Sequence, residues 1–215
     1  MKENYQLALD KTIEKIKKEG NDPSLLLHVC CAPCSSYVLE YLCEYFNITL
    51  FFYNPNISPE SEHNARLVEL QRLVLEMGMD EAVKIVSGEY EPSRFYELSK
   101  GLEELDEGGM RCYECYKLRL SKTAKTAKDG GYDYFTTTLS ISPHKNAEWL
   151  NEIGKTLEKE YGIPYLVSDF KKRNGYKRSC ELSLQYNLYR QNYCGCEFSR
   201  KAAEKRKAND ILRAK

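Results

Sequence analysis

Leu25-Leu26-Leu27-His28-Val29, followed at once by Cys30-Cys31-Ala32-Pro33-Cys34, is the stretch of sequence that decides the fold. A short, mostly apolar run is typical of a buried parallel strand, and Ser35 to Phe46 has the pattern of the helix that follows it. The vicinal cysteines therefore stand at the carboxyl end of the first predicted strand. In an open α/β sheet, ligands bind beyond that edge. The stretch predicts a fold class and a place for a site.

The alternation of strand and helix continues along the chain. Further strands are predicted at Ile48–Tyr53, Ala82–Val86, Tyr134–Thr138 and Pro164–Val167. Further helices are predicted at Pro59–Met77, Arg111–Lys128, Asn146–Tyr161, Ser183–Gln191 and Ser199–Arg213. This pattern predicts an α/β fold, a mostly parallel Rossmann-like sheet with helices on both faces. We expect residues 1–215 to form a single α/β domain, with an N-terminal helix (residues 1–20) and a basic C-terminal helix (residues 197–215) as appendages.

The composition narrows the class of protein. The 215 residues are 42% hydrophobic and 30% charged, which suits a globular domain and excludes a disordered tail or a fibre. No apolar run approaches the roughly 18 residues of a membrane helix, and the opening Met-Lys-Glu-Asn does not resemble a signal peptide. We therefore expect a cytoplasmic protein without a membrane partner. In that compartment, nine cysteines indicate metal or redox chemistry.

The net charge is zero, but it is unevenly distributed. Residues 171–215 contain 13 basic and 4 acidic side chains, so the rest of the chain has a net charge of −9. A basic C-terminal part on an acidic protein suits docking to a polyanion, and nucleic acid is the obvious candidate. A solvated surface helix explains the charge equally well.

Seven of the nine cysteines form three tight groups: Cys30-Cys31 with Cys34, Cys112 with Cys115, and Cys194 with Cys196. A C-x-x-C pair at a helix start aims two sulfurs at one point, where the helix dipole favours thiolates. Together, Cys30, Cys31, Cys112 and Cys115 make a four-thiolate set that suits an iron–sulfur cluster or structural zinc. Iron–sulfur is favoured because zinc sites more often join two C-x-x-C knuckles. The isolated Cys43 and Cys180 are interpreted as packed thiols.

The third group, Cys194-Gly195-Cys196, has two interpretations. A disulfide across one residue closes a strained ring that is easily reduced, so the pair could store two electrons. Alternatively, the two thiolates bind a further metal ion, together with Cys34. Gly195 suits both interpretations because it allows the backbone to fold tightly.

Several longer motifs resemble one known family. They are His28-Val29-Cys30-Cys31-Ala32-Pro33-Cys34, Phe52-Tyr53-Asn54-Pro55-Asn56-Ile57, Arg111-Cys112 with Cys115 and Arg119-Leu120, Thr136-Thr137-Thr138-Leu139 with Ser142-Pro143-His144-Lys145, Asp169-Phe170-Lys171-Lys172, and Tyr189-Arg190-Gln191-Asn192-Tyr193-Cys194-Gly195-Cys196. In this order they are similar to the epoxyqueuosine reductases of the QueH type. The resemblance runs from about residue 25 to residue 200 and does not include the N-terminal helix or the last dozen residues.

The resemblance implies a nucleotide-hydrolase-like relative of the Rossmann fold and the last step of tRNA queuosine biosynthesis. In that step, epoxyqueuosine in the tRNA anticodon loop is reduced to queuosine without cobalamin. The resemblance also implies a [4Fe-4S] cluster on Cys30, Cys31, Cys112 and Cys115, and a redox-active pair at Cys194 and Cys196. Cys34 stands where other members have aspartate, which leaves its role open.

Reducing an epoxide to an alkene takes two electrons and two protons, and the oxygen leaves as water. The departing oxygen needs a Lewis acid or a proton donor to take up its charge. A cluster with four cysteine ligands has no open iron. Either one thiolate detaches, or one additional iron held by some of Cys34, Cys194 and Cys196 binds the oxygen. An external electron donor is also required, and its identity stays open.

Several polar residues are predicted to bind the RNA or to donate a proton. We expect Lys171, Lys172 and Arg190 to contact the RNA backbone, and Asp169 is a candidate proton donor.

Two other functions could in principle use a similar fold or similar cysteines. A tRNA sulfur-transfer enzyme is disfavoured, because it needs a glycine-rich phosphate loop where this chain has Cys-Cys-Ala-Pro-Cys-Ser-Ser. A zinc- or cluster-stabilised RNA-binding module without catalysis is the alternative, and zinc would be colourless and redox-silent.

Overall fold

A four-stranded parallel sheet forms the centre of the protein, in a computed structural model that describes residues 3–213, with side chains described up to residue 210. Its strand order is β3-β2-β1-β4. The strands are β1 (Ser24–His28), β2 (Asn47–Phe52), β3 (Lys84–Ser87) and β4 (Tyr134–Thr137). The helices are α1 (Tyr5–Glu19), α2 (Ala32–Leu42), α3 (Glu60–Glu76), α4 (Pro92–Ser99), α5 (Met110–Asp129), α6 (Ala147–Tyr161), α7 (Gly175–Gln185) and α8 (Glu197–Arg213). The predicted α/β class is confirmed.

Helices cover both faces of the sheet because successive residues of β1 point to opposite sides. Leu25 and Leu27 join a buried cluster with apolar residues of α1, α2 and α3. Leu26 faces the other way and packs against α5 and α6. Within the described part of the chain, no helix has the length and apolar character needed to cross a membrane.

The two predicted terminal helices are present where the structure describes them. Within residues 1–20, α1 begins after Asn4, whose side chain caps the backbone N–H of Leu7, and it ends at Gly20. Within residues 197–215, α8 spans Glu197–Arg213, and the last two residues lie outside the described part.

Three sequence-based predictions of secondary structure were wrong. The expected strand at Pro164–Val167 is reduced to one bridge between Tyr165 and Phe135, because only this residue pairs with β4. The expected helix at Ser183–Gln191 is instead α7, which starts earlier and ends at Gln185. There, Asn187 adopts a left-handed φ of 46° and turns the chain away. The short helix α4 was missed, since it buries only Phe95 and Ser99.

The carboxyl ends of β1, β2 and β4 meet at one edge of the sheet, because neighbouring strands are parallel. Cys30 and Cys31 follow β1, the Tyr53-Asn54 pair follows β2, and a short 3₁₀ helix, Thr138–Ile141, follows β4. The order of the strands changes direction at β1, which is the position where ligands bind in open α/β sheets.

Candidate active site

Cys30, Cys31 and Cys34 form a compact group of thiols at the end of β1. The three sulfurs lie within 4.8 Å of one another, and the Sγ atoms of Cys30 and Cys31 are 3.6 Å apart. Cys31 is the extended residue that precedes α2, and Pro33 occupies the first turn of that helix. The break from strand to helix therefore lets vicinal side chains reach one centre. Among the described residues, this is the group of ligand atoms close enough to hold a metal ion directly.

The three thiols share negative charge. Hydrogen bonds from Cys31 and Cys34, helped by the nearby Arg119 guanidinium, hold the pKa of the Cys30 thiol well below its usual range. The hydrogen bond to Cys30 raises the pKa of Cys31 to about 12, and the pKa of Cys34 is raised for the same reason. The group thus carries one thiolate stabilised by two neighbouring thiols. Thiolates are the form in which cysteine binds metals.

Cys112 and Cys115 lie on the first turns of α5, and both are buried. The backbone N–H of Gly108 donates to the Cys112 sulfur at 3.3 Å, and Cys115 packs against Phe95 and Cys196. Burial raises the pKa of Cys112, and it raises the pKa of Cys115 to about 12. Both thiols are therefore enclosed by the protein, and Cys115 also interacts with the Arg119 guanidinium.

The loop Cys194-Gly195-Cys196 is tied to the β2–α3 connection and to α3. The N–H of Ser58 donates to the Gly195 carbonyl at 3.0 Å, and Arg66 Nη1 donates to the Cys194 carbonyl at 3.1 Å. Gly195 has a φ of +115°, and a Cβ atom there would lie 2.9 Å from Arg66 Nη1. Glycine is therefore needed for both its backbone angle and its closeness to the arginine. No disulfide joins Cys194 to Cys196 in this structure.

Lys145 contacts this loop, which the sequence did not predict. Its Nζ atom lies 2.9 Å from the Cys194 sulfur and 3.4 Å from a carboxylate oxygen of Glu107. Burial alone would lower the pKa of Lys145, but Cys194, Tyr116 and Glu107 together raise it well above its ordinary value. The lysine therefore brings a buried positive charge to the sulfur of Cys194.

These groups open into one cleft of about 620 Å³. Its walls include Cys30, Cys31, Cys34 and Cys194, together with Lys145 and Glu107. Further out, the cleft is lined by Tyr176, Arg190, Tyr193 and Arg206. Arg206 belongs to α8, so the basic C-terminal helix contributes to the mouth of the cysteine cleft. The reactive sulfurs and the basic rim are thus accessible from the same opening.

The predicted four-thiolate set is divided between two neighbouring groups. The sulfurs of Cys30 and Cys31 are close together. The four sulfurs of the predicted set do not all lie within 4.8 Å of one another. The two groups are linked, since Cys30 packs against the same buried cluster that contains Cys112. Arg119 also interacts with sulfurs of both groups, Cys30 and Cys115.

The chemistry of this region fits an anionic metal centre. Arg119 is 1% exposed, and among the described residues its hydrogen-bond partners are Asn54, His28 and the Cys115 sulfur rather than a carboxylate. Arg66 is 2% exposed, and its Nη2 atom has no hydrogen-bond partner. Buried cations require nearby negative charge. Thiolates holding an iron–sulfur cluster would supply that charge, so these residues fit such a group.

The other predicted polar residues fall in two places. Arg190 lines the cysteine cleft and donates to Ser183 Oγ at 2.9 Å. Asp169, Lys171 and Lys172 instead line a second groove, between α1 and the start of α6. There, Lys171 and Asp169 form an ion pair of 2.6 Å. Lys145 lines both the cleft and this groove.

Comparison with known proteins gives a consistent result. A family model described as "Epoxyqueuosine reductase QueH" matches residues 25–202. A protein named epoxyqueuosine reductase QueH from Staphylococcus epidermidis is 45% identical over 200 residues, covering 91% of this chain and 84% of that protein. The protein of the same name from Streptococcus pyogenes is 44% identical, covering 92% of this chain and 78% of the relative. A Thermotoga maritima relative with this name is 37% identical, covering 82% and 90%.

Proposed function

The chain belongs to the epoxyqueuosine reductase QueH family, and we propose that its cysteine cleft is where epoxyqueuosine in a tRNA anticodon loop is reduced to queuosine. The protein is an oxidoreductase of queuosine biosynthesis. Because the substrate is tRNA, the proposal places the reaction in the cytoplasm. The observation that carries the proposal is the cleft itself, in which thiols, a buried lysine and a basic rim share one opening.

The proposal assigns the cysteines to two roles. Cys30, Cys31, Cys112 and Cys115 are the proposed ligands of a [4Fe-4S] cluster, which would supply electrons singly to the substrate when bound. The donor set is soft thiolate, which suits iron–sulfur chemistry. Cys34 is adjacent to Cys30 and Cys31, so it is proposed as an auxiliary ligand.

Cys194 and Cys196 are proposed as the redox-active pair. Oxidation of the dithiol to a disulfide would release two electrons and two protons, which matches what the epoxide requires. In the alternative role, the two sulfurs hold one additional iron with Cys34, which lines the same cleft as Cys194. A Cys194→Ser variant separates these roles. It keeps its cluster iron if the pair is redox-active, and it loses about one iron atom if the pair binds a mononuclear site.

The reaction breaks both carbon–oxygen bonds of the epoxide, forms a carbon–carbon double bond and releases the oxygen as water. Negative charge develops on the departing oxygen. Within the cleft, the buried ammonium of Lys145 is the proposed group that stabilises this charge by hydrogen bonding. Asp169, the candidate proton donor from the sequence, lines the second groove. An external donor must return the two electrons after each turnover.

Substrate binding is proposed at the rim of the cleft. Arg190 and Arg206 suit the phosphates of an anticodon loop, while Tyr176 and Tyr193 offer rings on which unpaired bases can stack. The Arg190 guanidinium already lies over the Tyr176 ring, 6.0 Å from its centre. Lys171 and Lys172 line the neighbouring groove, so they are proposed to contact the RNA backbone farther from the cysteines.

The test is an anaerobic assay of iron-loaded protein on tRNA carrying epoxyqueuosine. A chemical reductant is supplied, and the nucleosides are analysed by mass spectrometry. We expect conversion to queuosine, with none from protein loaded only with zinc. Iron-loaded protein that binds the tRNA but leaves epoxyqueuosine unchanged would contradict the proposal.

A further inference from the structure

Two arginines are buried next to the cysteines on separate helices. Arg66 lies on α3 and Arg119 on α5, and each is almost fully enclosed, at 2% and 1% exposure. A guanidinium stays charged under all ordinary conditions. Enclosing such a charge is costly unless it is paired and hydrogen-bonded. Each arginine therefore needs a nearby anion, and the identity of that anion indicates what the arginine does.

The partners of Arg119 include no carboxylate among the described residues. One guanidinium nitrogen donates to Asn54 Oδ1 at 2.6 Å, and Nε donates to His28 Nε2 at 3.3 Å. Asn54 is neutral, and a histidine ring carries no negative charge, so neither residue supplies the anion that the guanidinium requires. The remaining partner is the sulfur of Cys115, and Cys30 is a further nearby sulfur. The negative charge that Arg119 requires must therefore come from the thiols.

Arg66 is only partly compensated by protein groups. Its Nε donates to Glu62 at 2.8 Å, one helical turn earlier, and Nη1 donates to the Cys194 carbonyl at 3.1 Å. Its Nη2 atom is buried without a partner. Its other electrostatic partners are the sulfurs of Cys31 and Cys30. One donor of Arg66 is thus left free beside the group of thiols at the end of β1.

The two arginines therefore hold the two groups of cysteines from different sides. Arg66 interacts electrostatically with Cys30 and Cys31 and donates to the carbonyl of Cys194, whereas Arg119 interacts with the sulfurs of both Cys30 and Cys115. Two fixed positive charges balance the excess negative charge of a cluster with four thiolates. They also favour its reduced state, because reduction adds one more negative charge.

We propose that Arg66 and Arg119 are positioning residues that hold the sulfur-ligated centre and raise its reduction potential through their buried charges. This inference rests on the proposed function, since it concerns the iron centre proposed above. It assigns to the two arginines a role in setting how readily the centre accepts an electron from its donor. Neither residue needs to touch the substrate.

The test measures the reduction potential of the iron-loaded protein in anaerobic titrations followed by electron paramagnetic resonance. At the midpoint potential of the wild type, Arg66→Gln and Arg119→Gln are each expected to show an at least tenfold lower ratio of reduced to oxidised centre. For a one-electron couple, a tenfold change corresponds to about 59 mV. Arg66→Lys and Arg119→Lys keep the charge and are expected to stay nearer the wild-type potential.

Arg72→Gln is the matched control. Arg72 lies on the same helix as Arg66, but it pairs with Glu69 and Glu76 on the surface, away from the cysteines. The reduction potential of the Arg72→Gln protein is expected to equal that of the wild type. Glutamine variants of Arg66 and Arg119 with full iron content and the wild-type potential would overturn the inference, as would an equal shift in the control.

A second readout covers variants that bind iron poorly. If a glutamine variant loses iron, its lysine counterpart is expected to retain it, because the charge is kept. Equal iron loss in both variants would show that the arginine acts through its shape alone, which overturns the charge role. Failure of the proposed function has a different signature, since the wild type itself would then hold no redox-active iron.

Discussion

Replacing Gly195 with alanine is expected to displace the loop that carries Cys194 and Cys196. The φ of +115° lies outside the small left-handed region, centred near about +57°, that residues with a side chain can enter. An added Cβ would lie 2.9 Å from Arg66 Nη1 and 3.1 Å from its Cζ. Arg66 cannot easily retreat, because it is buried and bonded to Glu62 and to the Cys194 carbonyl.

The size of the effect follows from two contributions. Holding a side chain in a sparsely populated backbone region costs about 1–3 kcal/mol. Forcing a methyl group against packed neighbours adds about 1–3 kcal/mol. A total of only about 2 kcal/mol would already reduce the population of the native loop about 25-fold, at about 1.4 kcal/mol for each factor of ten. Gly20→Ala is the matched control, since Gly20 also has a positive φ but nothing lies within 4 Å of its added Cβ.

The assay is urea unfolding of the reduced protein, combined with turnover of the iron-loaded form. Gly195→Ala is expected to lower the free energy of unfolding by more than Gly20→Ala and to lower turnover as well. Adding Arg66→Ala removes the clash, so the double variant should recover about 1–3 kcal/mol relative to the sum of the single changes. Equal losses at Gly195 and Gly20, without recovery in the double variant, would refute the reasoning.

Three further predictions test the cluster, the lysine and the rim. Cys112→Ala should remove most of the iron and the visible absorption, because each thiolate is a direct ligand. The control Cys180→Ala should keep both, as measured by metal analysis and an absorption spectrum. Lys145→Met should lower kcat at least about 100-fold by removing the cation that stabilises the departing oxygen, with tRNA affinity unchanged, and a wild-type kcat would exclude that role. Arg206→Glu should weaken tRNA binding and reduce the slope of log affinity against log salt by about 0.7, the share of one phosphate. Lys207→Glu, on the exposed part of the same helix, is the control, and identical binding by the two variants would contradict the proposed rim.

Much of the fold could be predicted from the sequence, because its signals are local. The apolar run before Cys30 and the helical spacing after it define β1 and α2 without reference to the rest of the chain. The start of α7 could not be predicted in the same way. A side chain at Gly175 would collide with the Phe170 carbonyl, at 2.0 Å, and this close approach depends on tertiary structure. Leu184, which lies within the misplaced helix, is 83% exposed.

In the candidate site, too, local features could be predicted from the sequence and long-range contacts could not. The end of a strand is a local feature, so the position of Cys30 and Cys31 at the sheet edge was predictable. The contact between Lys145 and Cys194 joins residues 49 positions apart and leaves no periodic pattern. Arg206 lies outside the resemblance, yet it lines the cleft because α8 starts immediately after Cys196. Net charge along the sequence could not distinguish it from Lys171, which lines the other groove.

The most direct test of the central claim is a single-turnover experiment on iron-loaded protein that has been reduced and then freed of excess reductant. The protein is mixed anaerobically with tRNA carrying epoxyqueuosine, and the oxidation of the centre and the amount of queuosine are followed together. We expect the protein to lose two electrons for each queuosine formed, at matching rates. Queuosine formed without the loss of two electrons from the protein, or a reduced protein that keeps all its electrons in the presence of bound substrate, would contradict the account.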